Sequence, residues 1–281
     1  MNEAKLNELK EALRATLAEQ TRVLDHLIHV LSQTETIDPE LKEITNTIVL
    51  MLQSVGVSVH SILRLTETID MAIKDCFGIC RTVSEMCINI AYIAASDIEV
   101  ARRARAHALQ KKFRDLSRYS DAADVNISVK SNVTPDASEI PGLQEAIDMF
   151  TDKKGREIRD WATDSLDERI RKVAAVSRRA STSLAGSKFS IYRHSSELLH
   201  GTYFGVVYFW TSPTGAEISR QQFSEHWVQN HFVTIFTAVF FGVVGAVECC
   251  ADRFELDQFD ESIQKAITKT RVLLDPEFAD G

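Results

Sequence analysis

The chain has 281 residues, 44% of them hydrophobic, with only 11 Gly and 5 Pro. Breakers this sparse exclude a sandwich or barrel, which needs a turn every few residues, and the length suffices for a sizeable core. The net charge of -8 opposes indiscriminate binding to nucleic acid, and no DNA-specific motif is present.

The pattern predicts an all-α multi-helix bundle with a long N-terminal amphipathic helix. From Asn2 to Ser32, Leu6, Leu9, Leu13, Leu17, Leu24, Leu27 and Leu31 recur at helical steps. Residues 1–36 therefore read as a helix that either packs on its own core or acts as an oligomerisation arm, making a homodimer or higher oligomer. Asp38 and Pro39 open the next helix as cap and first residue. It is expected to break near Gly56, resume from Val59 to Cys76, and loosen at Gly78 before Arg81–Ala95. Ser96 or Asp97 caps a basic helix ending near Arg118, with Arg102, Arg103, Arg105, Lys111, Lys112, Arg114 and Arg118 against Asp115 alone. That helix presents either a nucleic-acid face or a solvated one.

Residues 120–142, rich in Ser, Asn and Asp, read as an irregular insertion in a helical domain spanning 37–281. Beyond it the pattern predicts a short helix from Leu143 to Thr151. A charged helix follows from Gly155 to Ala185, anchored by Trp161 and ended by Gly186. Lys188–Trp210 reads as a helix broken near Gly201 or Gly205, and Ser212 to Gly215 as a turn. Ser219–Cys250 and Phe259–Leu274 complete the set. Phe232–Val247 carries no charge but is shorter than the roughly 20 residues that span a bilayer, so it reads as a core helix, with a membrane segment as the alternative.

Five cysteines without a ladder of spacings suit reduced, packed thiols in the cytoplasm. No metal site or cofactor is expected: Cys76 and Cys80 lack a second ligand pair. His226 and His231, five apart, point about 140° apart on an α-helix. There is no nucleophile elbow, phosphate-cradling glycine loop or HExxH motif.

Two helical stripes carry the candidate chemistry. Arg81, Glu85, Asn89 and Tyr92 line one face of an otherwise apolar helix. Burying charge is costly unless it is paired, so the stripe is either a site or an internal ion pair. Arg193 and His200, seven apart and nearly eclipsed, share a second face with Ser196, flanked by Tyr192. A guanidinium fork holds phosphate, and an imidazole moves a proton near neutral pH. The alternative is a satisfied histidine beside a surface arginine.

Arg193-x6-His200, with the polar His194 after the arginine, resembles the Arg-x4–6-His signature of the HEPN superfamily. The resemblance implies a helical bundle that dimerises to form a composite, metal-independent RNA-cleaving site. Many members are toxins or act in defence against phage, and others only bind nucleotides or partners. Over residues 60–250 the chain also resembles an uncharacterised prokaryotic helical family. That family joins an Arg-x3-Glu helix (Arg81, Glu85) to a Tyr-x3-Ser-x3-His helix (Tyr192, Ser196, His200), with Trp161 and Glu168-Arg169 between.

The leading expectation is an endoribonuclease in which Arg193 binds the scissile phosphate and His200 is the general acid or base. Arg81 and Glu85 balance charge, while Asn89, Tyr92, Tyr192 and Ser196 bind. The alternatives are a non-catalytic nucleotide- or partner-binding helical module and a membrane-associated effector.

Overall fold

In the computed structural model, residues 2–33, 38–122, 125–131, 136–211, 215–219 and 222–275 are described. The expected turn at Ser212–Pro213–Thr214 lies outside them. The chain divides into two compact units, residues 1–95 with 166–281, and residues 96–165.

The larger unit holds α1 (Glu3–Gln33), α2 (Pro39–Leu65), α3 (Ile73–Ala95), α6 (Leu166–Val173), α7 (Arg178–Leu199), α8 (Tyr203–Trp210), α9 (Phe223–His226), a π-helical stretch (Trp227–Phe232), α10 (Val233–Phe254) and α11 (Asp260–Leu274). The all-α expectation holds. At the centre stands α10, packed on α7, α3 and α1. A helix apolar on every side must be buried on every side. From Ile235 to Ala251 nearly every residue is buried.

Glycine lets α10 approach α7 closely. A Cβ at Gly245 would stand 2.7 Å from Leu184 Cγ and 3.0 Å from the Ala180 carbonyl oxygen. Beside Gly242, the Ser187 hydroxyl donates to Ala238 O (2.7 Å) and lies 2.8 Å from the Ser84 hydroxyl, tying α3, α7 and α10 together. Apart from the half-buried Leu9, the leucine stripe of α1 is buried against α2, α10 and α11 within the same unit, with Leu13, Leu17 and Leu27 fully enclosed. By length and composition, Pro39–Leu65 and Phe223–Phe254 are apolar enough to cross a membrane; the window in the second is 78% buried inside the fold, that in the first 28%.

Several expected breaks are not breaks. Gly56, Gly78 and Gly186 all lie inside continuous helices. A glycine costs a helix interior about 1 kcal/mol, which packing overrides. Gly78 shows the reason, since a Cβ there would meet Leu199 Cδ2 at 3.0 Å. Between α2 and α3 the chain turns at Thr66–Ala72 instead, where Asp70 accepts from the Thr68 hydroxyl and the Ala72 N–H. Gly201, with φ of +63°, ends α7 as expected. Of the charged helix expected over 155–185, residues 155–165 are not helical and the rest is two helices, α6 and the start of α7, the latter capped by the Ser177 hydroxyl.

The smaller unit contains α4 (Ile98–Arg114), β1 (Ser117–Ala122), β2 (Val125–Lys130) and α5 (Leu143–Met149). Part of the expected irregular insertion is an antiparallel hairpin, in register from Ser117↔Lys130 to Ala122↔Val125. The alternation of Val125 and Ile127 with Asn126 and Ser128 is its period-two signal.

The basic face of α4 is largely tied within this unit. Arg103 Nε donates to Trp161 O, and its guanidinium lies over the Phe150 ring. Arg114 reaches Gln110 and Thr151, Lys111 pairs with Glu157, and Arg102 pairs with Glu99. Asp97 caps α4 by accepting from the Glu99 N–H at 3.2 Å. Asp97→Ala is expected to cost about 1 kcal/mol, read as a lower urea midpoint for this unit.

Candidate functional site

The α3 stripe sits where the spacing puts it, facing α6 and α7. Gly78 lies against Leu199, Arg81 against Tyr192, and Ser84 against Ser187, so α3 and α7 run antiparallel. Arg81 Nε donates to Glu85 at 2.8 Å, both side chains half-buried, and the Arg81 guanidinium lies 4.4 Å from the Tyr192 ring centroid. Farther along, Asn89 Oδ1 accepts from Arg169 at 2.5 Å. The buried Tyr92 ring has the Arg169 guanidinium at 6.0 Å and the Lys172 ammonium at 5.7 Å. This stripe is a paired polar seam that joins α3 to α6 and α7.

The α7 residues divide differently. Tyr192 and Ser196 are half-buried, whereas Arg193 and His200 are exposed. Arg193 and Tyr192 line an open cleft of about 720 Å³ between α6, α7 and α10, together with Asp167, Lys188, His194 and Thr234. Lys188 pairs with Asp167 at 2.7 Å. Among the described residues no carboxylate lies within ion-pair distance of Arg193; its guanidinium sits 5.9 Å from the Phe204 ring. Phe189, 90% exposed, stands at the rim.

His200 is the C-terminal cap of α7 and does not line this cleft. Seven helical residues put it about 10 Å along the axis from Arg193. The histidine in the cleft is His194, stacked on Tyr208 with centroids 4.1 Å apart. Burial, reinforced by the charge of Arg193, holds its pKa below the usual imidazole value. The structure thus brings together Arg81, Glu85 and Tyr192, and separately Arg193, His194 and Lys188, but not His200.

A second cleft, of about 540 Å³, was not foreseen. Phe204, Tyr208, His226, Gln229, Asn230, His231 and Thr234 are among its walls. It depends on the π-helical turn. Because a π-helix closes i→i+5, residues five apart stack rather than diverge. The rings of His226 and His231 are therefore 4.4 Å apart, which corrects the 140° separation expected on an α-helix.

Both imidazoles are fixed. His231 Nε2 donates to Phe209 O (3.1 Å), a carbonyl in the last turn of α8, and its ring stacks on Phe209 at 4.6 Å. His226 Nδ1 accepts from the Asn230 amide at 2.9 Å. Burial, followed by the neighbouring His226, pushes the His231 pKa down to about 4, and burial lowers that of His226. The pair is neutral at pH 7. A five-residue His spacing was the available signal, but only the π turn gives it meaning.

The five cysteines are all free and buried, and burial raises their thiol pKa values, so they act as core packing. Among the described residues no group of three or more His, Cys, Asp or Glu gathers to hold a metal.

No curated protein and no solved structure matches the chain. Residues 46–216 match a family of unknown function, DUF5677. The match runs from within α2 to just beyond α8 and takes in both stripe-bearing helices. As it covers more than half of the 281 residues, this chain belongs to the DUF5677 family.

Proposed function

We propose that this protein is a helical module that binds the phosphate of a nucleotide or RNA in the α6–α7–α10 cleft, with Arg193 as the principal ligand. One observation carries the reading: Arg193 projects from a cleft wall with no carboxylate partner among the described residues. A guanidinium so placed offers a bidentate fork to phosphate. Lys188 lies on the same cleft, though Asp167 offsets its charge. The Arg81–Glu85 pair, already closed on itself, supports the wall beneath Tyr192.

With labelled single-stranded RNA at low salt, Arg193→Ala is expected to weaken binding about tenfold, since a charge-assisted hydrogen bond contributes roughly 1.5–3 kcal/mol. Fluorescence anisotropy checks this. Unchanged affinity would remove the reading.

The resemblance to the HEPN superfamily carries a second reading, a metal-independent endoribonuclease of the toxin or phage-defence kind. Its specific support is that Arg193 on α7 and His200 at its C-terminal cap are both open to solvent. A site joining them has to bridge the intervening turns of helix, and in the superfamily a second copy supplies the missing groups. His200→Ala then abolishes cleavage while leaving RNA affinity intact. Equal cleavage by wild type and variant, or none by either, defeats this second reading alone.

A further inference from the structure

We infer that the second cleft, between α8 and the π-helical turn, is a nucleobase pocket that works with Arg193, so that the ligand is read at its base as well as held at its phosphate. This rests on the phosphate-binding reading above and adds to it the chemical class of the recognised group.

Its volume, about 540 Å³, is in the range of small-molecule sites. Among the described residues, none of its walls is a charged side chain. The two histidines on it are held neutral by burial. Among the described residues a phosphate or carboxylate therefore meets no opposite charge there, whereas a neutral, planar heterocycle needs none. Phe204 and Tyr208, the latter with one face covered by His194, are its aromatic walls, and base–aromatic stacking contributes about 1–3 kcal/mol per base. Gln229 and Asn230 bring amides, which carry both donors and an acceptor and so can match a base edge. The Asn230 amide nitrogen is turned to His226, leaving its oxygen for a ligand donor.

The two clefts are joined at three points. Thr234 lines both. His194 of the first stacks on Tyr208 of the second. Arg193 of the first lies 5.9 Å from the ring of Phe204 in the second. One nucleotide, base against Tyr208 and phosphate at Arg193, spans that junction.

The π turn adds an independent argument. A π-helical segment is rare, and such turns appear frequently at functional sites. This one is stapled on both sides, by Trp227 Nε1 donating to Asp70 O (2.8 Å) and by His231 donating to Phe209 O. It sets His226, Gln229 and Asn230 on the cleft wall as a fixed surface.

The test compares nucleoside 5′-monophosphates with ribose 5-phosphate by isothermal titration calorimetry, on wild type, Arg193→Ala and Gln229→Ala. Gln229 is exposed, so its loss leaves the core untouched. Wild type is expected to prefer at least one nucleotide over ribose 5-phosphate by tenfold or more. Gln229→Ala should shrink that preference without changing affinity for ribose 5-phosphate, and Arg193→Ala should weaken both ligands. Equal binding of nucleotide and ribose 5-phosphate, or a preference that Gln229→Ala leaves intact, overturns the base pocket while sparing the phosphate reading. Binding of neither sugar phosphate nor RNA overturns both. A single-stranded oligoribonucleotide in competition separates the sources: displacement at lower concentration than the monophosphate assigns the pocket to a base within RNA, and the reverse to a free nucleotide.

Discussion

Gly245→Val is expected to destabilise the larger unit by at least about 3 kcal/mol, and to leave little folded protein at 37 °C. The new side chain has nowhere to go. Even its Cβ would stand 2.7 Å from Leu184 Cγ and 3.0 Å from both Leu184 Cδ2 and the Ala180 carbonyl oxygen. Leu184 is fully buried and cannot swing to solvent, and Ala180 O belongs to the α7 backbone. Relief demands that α7 move away from α10, which opens gaps along the most extensive contact in the fold. Overpacking of a well-filled core costs about 1–3 kcal/mol when side chains can adjust, and more when backbone must. Urea denaturation measures it. Gly186→Ala is the control: its Cβ meets only Phe241, at 4.0 Å, so it should be neutral or stabilise by up to about 1 kcal/mol. A Gly245→Val protein within 1 kcal/mol of wild type would mean that α7 and α10 are not packed as described.

The second large effect is acid sensitivity from His231. Its folded pKa of about 4 lies below the ordinary value of 6.5. Between those values the unfolded chain binds a proton that the folded protein refuses, so acidification favours unfolding. Stability from this group is complete above pH 6.5, falls as pH drops toward 4, and is level below that. A gap of this size corresponds to roughly 3 kcal/mol across the window. His226 and His194 act in the same direction, as burial lowers both. Glu248 acts oppositely. Burial raises its pKa despite the Ser183 hydroxyl at 3.1 Å, so its protonation favours the folded state.

Comparison of wild type with His231→Gln isolates the imidazole, since glutamine offers a donor for Phe209 O but does not titrate. Wild type should lose more stability between pH 7 and pH 4.5 than the variant does, by about 2 kcal/mol or more. Parallel pH profiles would show that the ring takes a proton as easily folded as unfolded.

Long helices with a leucine or polar stripe were legible from spacing alone: α1, the α3 seam and the apolar α10 all stand where periodicity put them. Asp38, Asp97 and Gly201 marked helix ends correctly, because each role depends on a local hydrogen bond or on a positive φ. Glycines inside helices misled. Gly78 serves a close contact with Leu199, while Gly56 and Gly186 meet only Leu24 at 3.8 Å and Phe241 at 4.0 Å, and a contact between distant segments leaves no local signature. The hairpin was hidden by Ser and Asn within its short alternation.

For the site, the sequence placed Arg81 with Glu85 and Arg193 on an exposed face. It could not say that α7 ends at Leu199, which leaves His200 as a terminal cap beyond the cleft while His194 lies within it. Nor could it reveal a π turn, whose residues WVQNHF read as part of an ordinary helix. The histidine pair and the second cleft follow from that turn.

Photo-crosslinking of 4-thiouridine-labelled single-stranded RNA, followed by mass spectrometry of the linked peptides, addresses the phosphate-binding cleft most directly. The account predicts crosslinks in α7 around Phe189–His194 and across the second cleft at Phe204, Tyr208 or Gln229, all lost in Arg193→Glu. Crosslinks confined to α4 or the hairpin, or an unchanged pattern in Arg193→Glu, would contradict it.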